Sequence, residues 1–154
     1  MSIEKVKAYF AQFGMEKQVI ELAQSSATVA LAAEAIGVEP ARIAKTMSFR
    51  MEDKCLLIVT AGDTKIDNSK FKARFKMKAR MLSPEEVAQM VGHAVGGVCP
   101  FAIPEDIPVY LDQSLKRFDT VFPAAGSSNS MIELTCDQLE QYSHGQWVDV
   151  CKLA

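Results

Sequence analysis

Histidine is scarce in this 154-residue chain: there are two, His93 and His144. Four cysteines stand at Cys55, Cys99, Cys136 and Cys151, and no two form a CxxC pair. With so few ligands so widely spread, neither a zinc site nor a disulfide framework is expected. The expected state is reduced, mostly buried thiols. The chain also lacks a Walker loop, a Rossmann glycine triplet and an HExxH pair, so the common phosphate, dinucleotide and metalloprotease signatures are out. No apolar run approaches a membrane span, and the segment from Met1 to Phe10 is charged and helix-like, with no apolar core of signal-peptide length. A soluble, cytoplasmic protein with no membrane partner is the expectation. Repeats, low-complexity tracts and long linkers are absent too, which predicts one domain over 1–154. Nor is there an excess of positive charge: 17 basic residues face 19 acidic ones, for a net charge of -2. A nucleic-acid partner would therefore need a local basic patch.

What is present reads as many short strands with interspersed helices. Ile3, Val6, Phe10 and Phe13 recur at helical spacing before Gly14. Gln18 to Leu22 reads as a strand. Ser25-Ser26 reads as the cap of a helix whose face is Val29, Ala32, Ala33 and Ile36, stopped by Gly37. Pro40 fits the first turn of a short helix. Strands are predicted at Thr46–Phe49 and Cys55–Thr60, the latter a continuous apolar run suited to burial on both faces. Asp67 caps a helix through about Phe75, and Ala79–Leu82 reads as a strand. Ser83-Pro84-Glu85-Glu86 is a helix start with cap, proline and first-turn acids in order. A Gly- and Pro-rich loop runs from Gly92 to Pro108. Strands follow at Val109–Leu111, Asp119–Phe122, Met131–Leu134 and Trp147–Val150, with a short helix capped by Thr135. The sum predicts an α+β domain with a mixed sheet curled toward a barrel. No helix shows a surplus apolar face, so a monomer is expected.

Four places carry candidate chemistry. Lys45, in RIAKTMSF, stands where a short helix hands over to a strand, a position from which a lysine can enter a cleft on a rigid backbone. The same spacing also suits a surface lysine at a helix C-terminus. Gly96-Gly97-Val98-Cys99-Pro100-Phe101 allows close backbone approach to a ligand, with N–H groups aimed at an anion or carbonyl oxygen; a tight connection needs the same residues. Cys99 as a nucleophile is the lesser option, because only His93 is close in sequence. Gly126, Ser127 and Asn129 lie in a polar segment that offers either a second wall for a polar ligand or a plain turn. Finally, Lys65 to Arg80 holds seven basic residues and one acid, Asp67, with bases at every second position from Lys70 through Lys72 and Arg74 to Arg80. Such a run neutralises phosphates or forms a solvated surface. Phe71 and Phe75 share a helical face and read as core anchors.

These segments, in this order, resemble the YbaK/EbsC family, the trans-acting editing proteins related to the insertion domain of bacterial prolyl-tRNA synthetases. The matching pieces are Ser26-Ala27-Thr28-Val29-Ala30 with its alanine-rich helix, Lys45 in IAKTMSF, GDTKIDNSKFKARF, MLSPEEV, GHAVGGVCPFAIP with Gly96 to Pro100 as GxxxP, Asp112, and AAGSSNSMIEL. The resemblance spans roughly Gln18 to Val150. Cys99 stands where the family often has Ser or Thr, and Thr46 differs from some alanine-editing members. What the resemblance implies is a mixed α+β editing fold. The implied activity is hydrolysis, in trans, of the ester joining a wrongly attached small amino acid (Ala, Cys, Ser or Thr) to tRNA, often tRNA for proline. An aminoacyl ester is already activated, so the protein need only position it, polarise its carbonyl and admit water or use the substrate's own ribose hydroxyl. On this reading Lys45, Gly96, Gly97 and Val98 are catalytic; Thr46, Cys99, Pro100, Gly126, Ser127 and Asn129 bind substrate; and Lys70, Lys72 and Arg74 bind tRNA. Lysine's ordinary pKa of ~10.4 favours an electrostatic role for Lys45 over a base role. No metal or organic cofactor is required, and the partners are mischarged tRNA and an aminoacyl-tRNA synthetase. The alternative is a non-catalytic module that binds tRNA or a synthetase through the basic stretch.

Overall fold

The computed structural model describes residues 2–154. Among these, five α-helices are present: α1 (Ser2–Ala11), α2 (Val29–Ile36), α3 (Asn68–Phe75), α4 (Pro84–Met90) and α5 (Cys136–Ser143). Ten strands accompany them: β1 (Val19–Glu21), β2 (Ile43–Met51), β3 (Lys54–Ala61), β4 (Thr64–Ile66), β5 (Val109–Asp112), β6 (Thr120–Pro123), β7 (Ser130–Ile132), β8 (Leu134–Thr135), β9 (Gln146–Val148) and β10 (Cys151–Leu153). Six of them form one mixed, curled sheet in the order β8-β6-β2-β3-β5-β9, and β1–β7 and β4–β10 make two small antiparallel pairs. The α+β class is as expected. No helix among the described residues is long and apolar enough to cross a membrane.

The sheet is held by β3, whose residues Cys55 to Ala61 are all buried. Alternation sorts its side chains. Cys55, Leu57, Val59 and Ala61 join the main core with Val6 and Phe10 of α1 and Leu139 of α5. Leu56 and Ile58 turn to the other face, where Phe49 and Phe71 of α3 meet them. Phe71 packs between Phe49 and Phe75 with tilted rings, centroids 5.1 and 4.8 Å away, so both α3 phenylalanines anchor the helix. A third cluster packs Ala32 and Ala33 of α2 on Ile43, Phe122 and Met131.

Several local expectations need correction. The cap of α2 is Thr28, whose hydroxyl accepts from Leu31 N–H, and not Ser25-Ser26. The Ser26 and Ser25 hydroxyls instead bond Ser128 O, tying this segment to a distant turn. Lys45 lies inside β2, because the strand begins at Ile43, directly after the 3-10 turn Pro40–Arg42. Residues 79–82 form no full strand; a single bridge joins Met81 to Phe49, since the chain leaves the sheet after Leu82, where Ser83 caps α4. The predicted strand over 131–134 is two strands on different partners, β7 with β1 and β8 with β6. β4 and β10 were not foreseen: each is three residues long, and they exist by pairing with each other.

Candidate active site

The outer edge of β2 is covered at both ends and bare in the middle. At its start, Ile43 and Ala44 pair with Phe122 and Pro123 of β6. Near its end, Leu82 N–H bonds Ser48 O at 3.2 Å and Arg50 N–H bonds Arg80 O at 2.7 Å. Among the described residues, no strand pairs with this edge from Lys45 to Met47. Since Ser48 and Arg50 point their backbone groups away from β3, the two-residue alternation of an antiparallel pair aims the N–H and C=O of Thr46 the same way, into the gap.

A cavity of about 390 Å³ occupies this gap. Its floor is residues 43–48 of β2. One wall is Ser26 to Val29 and Ala32 of α2, a second is Met81, Leu82, Pro84 and Val87 at the start of α4, and a third is Val95, Gly96 and Val98. Phe122, Ala124, Ser130 and Met131 close the remaining side. The lining is largely apolar with a few hydroxyls, and Lys45 is its one charged residue. The hydroxyl oxygen of Thr46, one of the lining residues, is buried with no hydrogen-bond partner among the described residues. An orphaned buried hydroxyl of this kind costs free energy unless a ligand or water completes it.

Lys45 is half-buried, and its ammonium donates to the carbonyl of Thr64. Burial lowers its pKa from the ordinary lysine value, with Cys151 and Asp63 acting against that shift. The neighbouring Asp63 is fixed by a two-pronged ion pair to Arg117, at 2.6 and 3.0 Å. Across the sheet Lys45 faces Thr60, whose hydroxyl is likewise buried and unpartnered.

The two glycine segments singled out in sequence meet in space. Gly126 N–H bonds Gly97 O at 3.1 Å, and a Cβ on Gly97 would lie 2.6 Å from Ser127 N. The Gly97 N–H is itself held by Ala94 O, 3.0 Å away. The N–H groups of Gly96 and Val98 carry no hydrogen bond within the described residues. Gly96 has φ of 97°, a conformation that suits glycine.

The cavity wall thus contains Lys45, Thr46, Gly96 and Val98, whereas Gly97, Cys99, Pro100, Gly126, Ser127 and Asn129 are not among its lining residues. Cys99 is fully buried, its Sγ 3.5 Å from Nε2 of His93 and 3.7 Å from Phe101 O. Burial pushes its thiol up to about 12, far from a thiolate. Ser127 bonds Ser130 and Asn129, and Asn129 Nδ2 reaches Leu22 O at 2.9 Å, so this turn is braced on β1's exit. On α3, Lys70 is engaged by Asp149 and Cys151 O, both at 3.0 Å, and Arg74 lies over the rings of Phe75 and Tyr110. Lys72 is exposed. Ser130 stands at the end of the polar segment singled out in sequence, whereas sequence reasoning missed Ser48, Met81 and Val95. Ser48 looked like an ordinary strand residue, and the other two line a cavity that only the tertiary fold creates.

A small, mostly apolar cavity with open backbone donors and one lysine defines a binding or hydrolytic site for a compact polar group. The model of the aminoacyl-tRNA editing domain matches residues 23–142, and the chain belongs to that family. YwhH of Bacillus subtilis (strain 168), a protein of uncharacterised function, is 56% identical over 154 residues, covering 99% of this chain and 98% of its own length. EbsC of Enterococcus faecalis, whose name gives it a provisional Cys-tRNA(Pro)/Cys-tRNA(Cys) deacylase assignment, is 26% identical over 120 residues, covering 77% of this chain and 73% of its own. A crystal structure provisionally described as a trans-editing enzyme for prolyl tRNA synthetase superposes with a TM-score of 0.88 at 29% identity, covering 98% of this chain and 97% of that one.

Proposed function

We propose that this chain is a trans-acting deacylase that hydrolyses the ester between a small amino acid (Ala, Cys, Ser or Thr) and the 3′ end of tRNA, tRNA for proline among its substrates. The observation that carries the reading is the cavity at the bare edge of β2. There the edge of β2 at Thr46 and the Gly96–Val98 turn, in which the Gly96 and Val98 N–H groups carry no hydrogen bond among the described residues, line one cavity. Family membership and the likeness to EbsC and the trans-editing structure support it.

In this reading the α-ammonium of the amino acid is received by the Thr46 carbonyl and hydroxyl. The ester carbonyl turns toward the N–H groups of Gly96 and Val98, which stabilise the oxyanion as it forms. Water, oriented by the vicinal ribose hydroxyl, adds to the carbonyl carbon. The tetrahedral centre collapses by breaking the bond to the ribose oxygen, which takes a proton, and free amino acid and uncharged tRNA leave. Lys45, its pKa lowered by burial, contributes a positive charge to the cavity lining, and its ammonium is tethered to Thr64 O. Gly97, Cys99, Pro100, Gly126, Ser127 and Asn129 hold the turn in register. Lys72 and Arg74 serve tRNA phosphates; Lys70 contributes less because Asp149 already compensates it. The chain works on mischarged tRNA alone or beside a synthetase.

The test is a panel of tRNAs charged with Ala, Cys, Ser, Thr or Pro, incubated with wild type and with Lys45→Ala. One or two amino acids should be released, and the variant should be slower by about 10²-fold or more while still folded. Full activity in Lys45→Ala would take the lysine out of the mechanism. No release of any amino acid, with tRNA still bound, would identify a binding module instead.

A further inference from the structure

Beyond α3, residues 76–82 run alongside β2 toward the cavity. Lys76 ends the helix in the left-handed conformation, with φ of 60°. The next residues alternate. Met77 and Ala79 pack on the cluster of Phe49 and Phe71, so Lys78 and Arg80 stand exposed on the outer side. Arg80 O and Leu82 N–H are bonded to β2, which fixes the segment. Met81, next in the chain, lines the mouth of the cavity, as does Val95; each is 62% exposed. Lys78 and Arg80 make no ion pair or hydrogen bond through their side chains among the described residues, whereas Lys70, Arg42, Arg50 and Arg117 are each paired with an acid. Other lysines, such as Lys65 and Lys152, also lack an acid partner within ion-pair distance among the described residues; what sets Lys78 and Arg80 apart is their place on the segment that leads to Met81 at the cavity rim.

We infer that Lys78 and Arg80, leading to Met81 at the rim, form a track for the unpaired 3′ tail of an RNA whose last nucleotide carries the ester; this rests on the deacylase reading above. The cavity is large enough for a drug-sized group and no larger, so preceding nucleotides must lie outside it. Alternate residues of an extended chain are about 6.6 Å apart, which suits successive phosphates of an extended single strand. A single column of cations with an apolar ledge at its end matches an unpaired strand, whose bases need an apolar surface, better than it matches a duplex.

The experiment measures binding of the full chain to a short single-stranded RNA with a free 3′ hydroxyl and to a blunt RNA hairpin of equal phosphate number, across salt. The variants are Lys78→Gln with Arg80→Gln and, as a control of equal charge change, Lys65→Gln with Lys152→Gln, the exposed cross-strand pair of β4 and β10. The track variant should bind the single strand about ten- to a hundredfold more weakly at about 50 mM salt, with the salt slope reduced by about 1.4, two phosphates' worth. The control should change by less than about threefold. Equal losses in both double variants, equal losses on the hairpin, or no loss at all would overturn the track. Wild-type protein that binds the tail through these residues yet hydrolyses no aminoacyl ester would refute the deacylase reading while supporting the track. Hydrolysis with tail binding indifferent to the two residues would refute the track alone.

Discussion

His93 and Cys99 are the side chains on which residue type alone misleads. A thiol beside an imidazole suggests a nucleophile and its base, yet both groups are buried, neither lines the cavity and the imidazole is already bonded. Nε2 donates to Phe101 O at 2.8 Å, which ties the start of the loop to its middle. Nδ1 is buried without a partner among the described residues, and burial lowers the pKa of the ring, with the bond to Phe101 O acting against that shift. The unfolded chain therefore takes up a proton at His93 near pH ~6.5 while the folded chain resists it. Stability linked to this group is intact above that pH and is lost as pH falls below it, until the folded-state pKa is passed. Urea unfolding of wild type should show a lower midpoint at about pH 5 than at about pH 7. His93→Gln, which cannot titrate there, should show a smaller drop; an identical drop in both proteins would exclude His93 as its source.

At the scale of elements, the caps show most directly how sequence becomes structure. Ser83 accepts from Glu86 N–H while the Glu86 carboxylate accepts from Ser83 N–H, a reciprocal box at the start of α4. Pro84 in the first turn adds a preset φ. Ser83→Ala should lower stability by about 1 kcal/mol in urea titration; a change near zero would mean that Leu82's bond to β2 alone sets the start of α4. Such features are legible because all their parts lie within four residues. Asp67 and Thr135 were readable for the same reason, as were Gly37 and the apolar run of β3. β4, β10 and the split between β7 and β8 were not, because a three-residue strand has no period of its own and is defined by a partner up to about a hundred positions away. Lys45 was legible as a candidate from its place near a helix-to-strand handover and from its neighbours in the motif. That it lies on a strand whose outer edge is bare depends on where β6 and residues 80–82 let go of β2.

At the scale of the whole molecule, the cavity is assembled from segments that the chain order keeps apart: the approach to α2, the edge of β2, the start of α4, the glycine turn and β7. The weld between the turn at Gly96–Val98 and the turn at Gly126–Ser127 holds the third wall in place, and Gly97 is its tightest point. A methyl group there would meet backbone atoms at 2.6 and 2.7 Å, which no rotamer relieves, so the two turns must separate. Gly97→Ala should cost about 1–3 kcal/mol, lowering the melting temperature by roughly 2–12 °C for a domain of this size. Gly14 supplies the comparison: its φ is 70°, and a Cβ there meets nothing within 4 Å. Gly14→Ala should cost about 1 kcal/mol through backbone conformation alone. Both variants should be assayed for deacylation well below their melting temperatures. If the weld aims the Gly96 and Val98 N–H groups, Gly97→Ala should lose at least about tenfold in rate, on the scale of one displaced oxyanion donor, while Gly14→Ala keeps wild-type turnover. Equal rates in the two folded variants would mean that the wall tolerates displacement, and the donors of the Gly96–Val98 turn would then have no part in polarising the ester.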